Sequence, residues 1–363
     1  MRGEIKSQPE LISMISVESR VPAEHPLRKI KRSVDEALKR LSPLFDDMYA
    51  ERGRPSIPPE RLLKAKLLMA LYTVRSDRLF CEMLRCQILF LWFLDMDLDD
   101  AAWDHSSFSK YLAKAVEHEI GKSFFEEIVL MLREENLVSD DHFTVDGTLI
   151  EAWASMKSFV KKGKKPESNN DGGNCDVDFR GEKRSNQTHR STTDAQAELM
   201  RKGAGKEAKL SFGGHALMEN RHGLLMEIKI TPSASVTEAE ASKQILDEKK
   251  QERKMEAESV GADKGYHQKG FVSHLRENGI SPHVATIDNR NVKGLDGRTT
   301  ESKGCQISQI KRKRIEEIFG WIKTTGGFRK TRYHGIEKNQ TIAHLIGAAY
   351  NLLRMSRLTV APT

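Results

Sequence analysis

Residues 142–153, HFTVDGTLIEAW, decide how this chain is read. Val, Ile, Thr and Phe dominate, and apolar and polar positions alternate, which is the period of a strand. Asp146 stands inside that strand, where Asp is disfavoured, and Gly147 follows it. Glycine within a strand often marks a close approach by another backbone or a ligand. A turn or edge carboxylate is the plainer alternative for Asp146. Glu151, five residues on, falls on the other face of the strand and reads as structural.

Upstream of this stretch the period is helical. Residues 1–25 read as a loosely ordered arm, and residues 26–136 as an all-α domain. Leu27, Ile30, Val34, Ala37, Leu38 and Leu41 keep helical spacing. A Pro-rich break, Arg54 to Pro59, puts Pro59 at a first helical position. Asp104-His105-Ser106 reads as a helix start. Short helices joined by tight turns fit a helix-turn-helix-like module and a plain helical bundle equally well.

Downstream, residues 137–358 read as an α/β domain interrupted at about 157–195. That interruption (KKGKKPESNNDGGN, GEKRSNQTHRSTTD) is too polar to build a core and reads as a flexible basic insertion. Two antiparallel strands follow, AKLSFGGHALMEN and GLLMEIKITP, and then a charged helix opened by Thr237-x-x-Glu240, a capping box. The short strand SVGAD ends on Asp263, which could equally cap the helix after it. SPHVATI is another strand, and Asn339–Arg354 is an amphipathic packing helix. The order β-β-β-α-β-α-β-α describes a mixed sheet with helices on its faces.

The stretch 307–323, ISQIKRKRIEEIFGWIK, reads as one continuous helix. Ile307, Ile310, Ile315, Ile318, Phe319, Trp321 and Ile322 cover its apolar face, and Arg312, Glu316, Gly320 and Lys323 lie opposite. A solvated i,i+4 ion pair is the bland explanation. Arg before Glu is the less favourable order for such a pair, and Lys323 extends the stripe. Glu317 lacks that stripe, since Lys313 and Thr324 occupy the corresponding positions. Ligands of open α/β sheets bind at strand carboxyl ends, so Asp146, Asp263 and Glu316 can converge. Three such carboxylates repel and need cations, and hard Mg²⁺ or Mn²⁺ ions suit all-oxygen donors. Two ions about 3.5–4 Å apart would serve an in-line phosphodiester displacement.

The bulk numbers agree with an anionic partner. The net charge is +7 over 363 residues, and residues 301–340 hold ten Lys/Arg against four Asp/Glu. Lys202 and Lys206 sit in RKGAGK, which fails as a P-loop because Glu207 follows. A DNA-backbone contact or a plain loop remains for it. Arg329 and Arg332 sit in RKTRYH, which mixes cations with an aromatic, although a solvated loop fits there as well. The four cysteines lack metal-site spacing, and no signal-like or membrane-spanning run is present, so a cytoplasmic protein without a membrane partner is expected.

Three motifs together resemble the DDE transposases of bacterial insertion sequences, the insertion-sequence-five group most closely. They are Val145-Asp146-Gly147-Thr148, Gly261-Ala262-Asp263-Lys264-Gly265-Tyr266 and Arg312-x3-Glu316-x6-Lys323. The blocks Gly214–Asn220 and Ile318–Lys323 share the group's phrasing, and the likeness spans nearly the whole chain. One position departs: the wider signature has a tyrosine three residues before the arginine, and here that residue is Gln309. The resemblance implies a ribonuclease-H-like fold and two Mg²⁺ (or Mn²⁺) ions held by Asp146, Asp263 and Glu316. It implies cleavage at the element's terminal inverted repeats, then attack of the freed 3′-hydroxyls on target DNA. Arg312 and Lys323 would contact DNA, in a synapsed homo-oligomer associated with the bacterial nucleoid. A catalytically inactive DNA-binding repressor and a nuclease without strand transfer are the alternatives.

Overall fold

In the computed structural model, the described residues are 16–49, 52–163, 184–203, 205–252, 256–287 and 291–358. The helical region comprises α1 (Val17–Arg20), α2 (Leu27–Arg40), α3 (Ser42–Asp47), α4 (Pro59–Leu71), α5 (Asp77–Leu84), α6 (Ile88–Phe93), α7 (Ser106–Glu117) and α8 (Ile120–Glu134). Then come β1 (His142–Glu151), β2 (Phe159–Lys161), β3 (His189–Ser191), β4 (Glu198–Arg201), β5 (Ala208–Glu219), β6 (Leu224–Pro232) and α9 (Glu238–Gln251). The chain continues through β7 (Ser259–Ala262), α10 (Lys269–Glu277), β8 (Ser281–Val284), α11 (Gly297–Thr300), α12 (Lys303–Lys311), α13 (Ile315–Thr324) and α14 (Ile336–Leu358).

The expected strand at residues 142–153 is β1, and it lies at the centre of a mixed sheet. It pairs antiparallel with β5 on one side and parallel with β7 on the other. β8 continues the sheet parallel beyond β7, while β6 and β4 lie along the far edge of β5. One hydrophobic cluster, with Phe143, Val145 and Val260, joins the sheet to α9 and α10. Another, with Ile150, Phe212 and Ile228, is continuous with α13, α14 and the N-terminal helices.

The last helix differs from its expected amphipathic form. Buried residues face every side of α14, from Asn339 through Met355, because it lies between β6 and helices α4, α7 and α8. Close packing needs small residues there: a Cβ on Gly347 would sit 2.8 Å from Leu225 Cδ2 and 3.1 Å from Phe125 Cε2. Two α14 amides cover the free edge of β6. Gln340 accepts from Ile230 N (2.7 Å) and donates to Ile228 O (2.6 Å). Asn351 does the same with Leu225 N (2.9 Å) and O (2.7 Å). These side chains occupy backbone groups on an edge that would otherwise be open to stray pairing.

Three further expectations change. Residues 1–15 of the supposed arm lie outside the described residues, but from Ser16 the chain is ordered. Val17 is buried, and Trp92 Nε1 donates to Glu18. The basic insertion lies outside the described residues at 164–183, whereas its flanks pair as β2 and β3, with Phe159 and His189 buried and stacked. The helix over 307–323 is not continuous. α12 and α13 are separated by a 3₁₀ turn at Arg312–Arg314. Ile307 and Ile310 are 54% and 70% exposed, outside the apolar face assigned to them. A 3₁₀ turn advances each residue by 120° rather than 100°, so a helical wheel drawn through it loses phase.

Candidate active site

β1 and β7 run parallel with Thr144 opposite Gly261. Carrying that register two residues further brings Asp263 beside Asp146. Asp263 also does what its position after a strand allows: Oδ1 accepts from Gly265 N at 2.7 Å, starting a 3₁₀ turn. On β1, Asp146 Oδ1 accepts from Gly147 N at 2.8 Å. α13 crosses from the other direction and is tied to β1 by Lys323 Nζ, which donates to Thr148 Oγ1. Asp146 and Thr148 share a strand face, so this bond brings the exposed Glu316 round to the same space. Asp146, Asp263, Glu316 and Lys323 line one cavity of about 780 Å³, and Lys202 stands at its wall.

The electrostatics follow from that crowding. Burial, with Asp263 and Glu316 adding to it, pushes the Asp146 carboxyl up to about 6, against the pull of Gly147 N–H and Arg312. Lys323 is pushed down by burial and by the nearby Lys202 and Arg329. A fourth carboxylate, which sequence reasoning missed, closes the cavity. Glu238 opens α9 and packs directly over Gly147, where a Cβ would lie 2.6 Å from Glu238 Cγ and Cδ. Here is the close approach that the strand glycine signalled. Burial, Asp146 and Asp263 raise Glu238 as well, although its side chain is exposed at the mouth. Its only sequence signal was an acid opening the helix after the β-hairpin.

The donor set is oxygen only, and Asp263 and Glu316 oppose the ionisation of Asp146, which is the chemistry a hard divalent cation relieves. As the side chains stand, no group of three or more His, Cys, Asp or Glu among the described residues is arranged to hold a metal ion. Glu316 is exposed and Asp263 half-buried.

Arg312 does not line the cavity; its Nε donates to Gln309 Oε1 at 2.8 Å. The remaining cations fall on two grooves that meet the cavity at Lys323. Lys202, Lys206, Lys209 and Arg329 line one. Arg329, Arg332, Lys66 and Arg75 line the other, together with Trp153. Trp153 is 51% exposed, with Lys330 Nζ 5.1 Å and Arg332 Cζ 5.9 Å from its ring. Loop 329–331 is pinned to the end of β1, since Glu151 N donates to Arg329 O (3.0 Å) and Thr331 N to Glu151 O (2.8 Å). Glu151 itself pairs with Lys209 at 2.8 Å, in keeping with a structural part. Sequence reasoning did not single out Trp153, Lys66 or Arg75, because only the fold brings them beside residues 329–333.

Two family models match the chain: Transposase domain (DUF772) over residues 15–114 and Transposase DDE domain over residues 176–352. The second covers Asp263 and Glu316 and begins after Asp146. Among solved structures, the piggyBac transposase synaptic complex with hairpin DNA is 9% identical, with a TM-score of 0.42 over 92% of this chain and 76% of that one. The Mos1 transposase paired-end complex with left transposon end is 9% identical, with a TM-score of 0.21 over 85% of this chain and 82% of that one. The Mos1 strand transfer complex is 8% identical, with a TM-score of 0.20 over 85% and 81%. No curated protein matches the chain, and no helix among the described residues is long and apolar enough to cross a membrane.

Proposed function

Starting from a chain built of transposase domains, we propose that it is a DNA transposase of the insertion-sequence-five group with a ribonuclease-H-like catalytic sheet. It cleaves the ends of its element and joins the freed 3′-hydroxyls to target DNA. The observation that carries this reading is the meeting of Asp146, Asp263 and Glu316, from three separate elements, in one cavity rimmed by cations. The mixed sheet, with helices on its faces and Asp146 on its central strand, supports the fold.

Asp146, Asp263 and Glu316 would hold two Mg²⁺ or Mn²⁺ ions, and Glu238 adds a neighbouring oxygen donor. Bound there, such ions activate an attacking oxygen and stabilise a leaving one. The chain's own residues do the rest. Asp146 holds its proton more readily than an ordinary Asp and releases it as positive charge enters the cavity. Lys323, fixed to Thr148, presents its charge where a phosphate beside the reacting bond would lie. Lys202, Lys206, Arg329 and Arg332 carry the DNA backbone away along the two grooves, and Arg312 contacts it near the cut. The helical residues 26–136 bind DNA, residues 137–358 form the catalytic domain, and the active form is a homo-oligomer holding two element ends in the bacterial cytoplasm.

Strand transfer separates this reading from a nuclease with the same carboxylates. With Mg²⁺ and a plasmid target, a pre-cut element end bearing a free 3′-hydroxyl is expected to become joined to the plasmid. Metal-dependent hydrolysis without joined product would reduce the protein to a nuclease. Tight end binding with neither product would make it a repressor.

A further inference from the structure

Gln309 occupies the position where the wider family's motif has a tyrosine, three residues before Arg312. It lies on α12, which comes unusually near the sheet. Gly261 of β7 makes room, because a Cβ there would sit 2.7 Å from Ser308 Oγ and 3.3 Å from Thr144 Oγ1. His142, bonded to Ser308 and to Asn220 Nδ2, completes a polar layer that seats the helix. From this seat the Gln309 amide spans the seam between β7 and β8. Its Nε2 donates to His283 O at 2.6 Å and to Ala262 O at 3.3 Å. Ala262 O also accepts from Ala285 N at 3.1 Å, so Gln309 uses the second lone pair of that carbonyl. Ala262 is the last residue before Asp263. The other end of the same amide, Oε1, accepts from Arg312 Nε at 2.8 Å.

One planar group therefore connects the strand end that presents Asp263 to the guanidinium of the motif arginine. We propose that Gln309 is a positioning residue, which sets the direction of Arg312 relative to Asp263 by anchoring it to the sheet. Arginine Nε is the nitrogen it holds, which leaves the two terminal nitrogens to meet a phosphate as a fork. A tyrosine hydroxyl can donate only once and cannot bridge two carbonyls while accepting from Arg312, so a tyrosine at position 309 could not make this set of contacts. The inference rests on the proposed DNA role of Arg312.

The test is a double-mutant cycle read by binding of a labelled element end without divalent ion. Gln309→Met and Arg312→Lys are each expected to weaken binding about three- to tenfold, and the double variant to bind no worse than the weaker single. Gln309→Glu keeps an acceptor for Arg312 but loses the donors that anchor it to both carbonyls, so it too should weaken binding, and it should add no further loss in the Arg312→Lys background. A mere brace of the β7–β8 seam predicts a loss in both backgrounds. In the DNA-free protein, the Arg312 Nε–H resonance, assigned by its loss in Arg312→Lys, should be slow to exchange and become fast in Gln309→Met. The other arginine resonances report whether each variant is folded. Wild-type binding by Gln309→Met, or losses that multiply, would overturn the proposal. So would a further loss when Gln309→Glu is added to Arg312→Lys, the comparison that decides should Gln309→Met not fold. If Arg312→Lys binds like wild type, the DNA role of Arg312 fails and takes this inference with it, while cleavage through Asp263 is judged separately.

Discussion

In metal-free buffer at pH 7, Asp146→Asn is expected to make the protein more stable. Folding raises this carboxyl from the ordinary 3.8 to about 6, chiefly by burial and then by Asp263 and Glu316. A group raised on folding contributes stability that is fully present below its unfolded value and is lost as pH rises through its folded one. Between about pH 4 and pH 6 the metal-free wild type therefore loses stability, and by neutral pH it carries an ionised carboxylate in an unfavourable place. The full shift would correspond to about 3 kcal/mol. Asp146 is only half-buried and solvent screens it, so roughly 1–2 kcal/mol is expected, a few degrees in melting temperature. Asparagine keeps the acceptor for Gly147 N–H and removes the charge. Adding Mg²⁺ should reverse the order, because only the wild type gains from binding it. Thermal melts with EDTA and with Mg²⁺, taken from pH 4 to pH 8, read both signs. A variant that melts lower than wild type at pH 7 without metal would mean the carboxylates do not oppose one another.

Glu316→Gln is expected to lower metal-dependent cleavage of an element end by more than about 100-fold, at least the loss seen when outer-shell partners of a bound metal are removed. End binding should change little. Glu317→Gln, by contrast, should stay within about twofold of wild type, the range of an ordinary surface change. The two glutamates are neighbours in sequence and both exposed, but one helical step of about 100° separates them. Glu316 lines the carboxylate cavity, whereas Glu317 lies near Tyr350 on the side facing α14. Comparable losses in both variants would point to a general disturbance of α13 and away from a specific ligand.

Much of this site could be read from residue order because its chemistry depends on a few rigid placements. Asp146 stood out as an acid in a β-rich run, and Asp263 as an acid ending a strand. A parallel pairing of those two strands was enough to make them neighbours. Glu316 followed from a cationic stripe that survives in α13 because Glu316 and Lys323 lie on the same unbroken helix. Arg312 opens the 3₁₀ turn, and before that turn the wheel failed: α12 turns Ser308 and Cys305 to the sheet and leaves Ile307 and Ile310 outside. Small residues won because Gly261 admits a close helix, a tertiary choice that periodicity cannot express. Glu238 and Trp153 were hidden for a related reason. Each is unremarkable within its own segment, and each acquires a part only when a second element, β1 or loop 329–331, is laid beside it.

Cleavage of a labelled duplex that carries the element's end, run with Mg²⁺ or Mn²⁺ and compared with Asp263→Asn, tests the carboxylate site most directly. Asp263 is the acid that the strand register sets beside Asp146, and it lines neither of the two basic grooves. The wild type is expected to cut at the element junction only with the divalent ion, and the variant to lose the cut while end binding persists. Equal cleavage by both proteins would contradict this and would put the active site elsewhere in the chain.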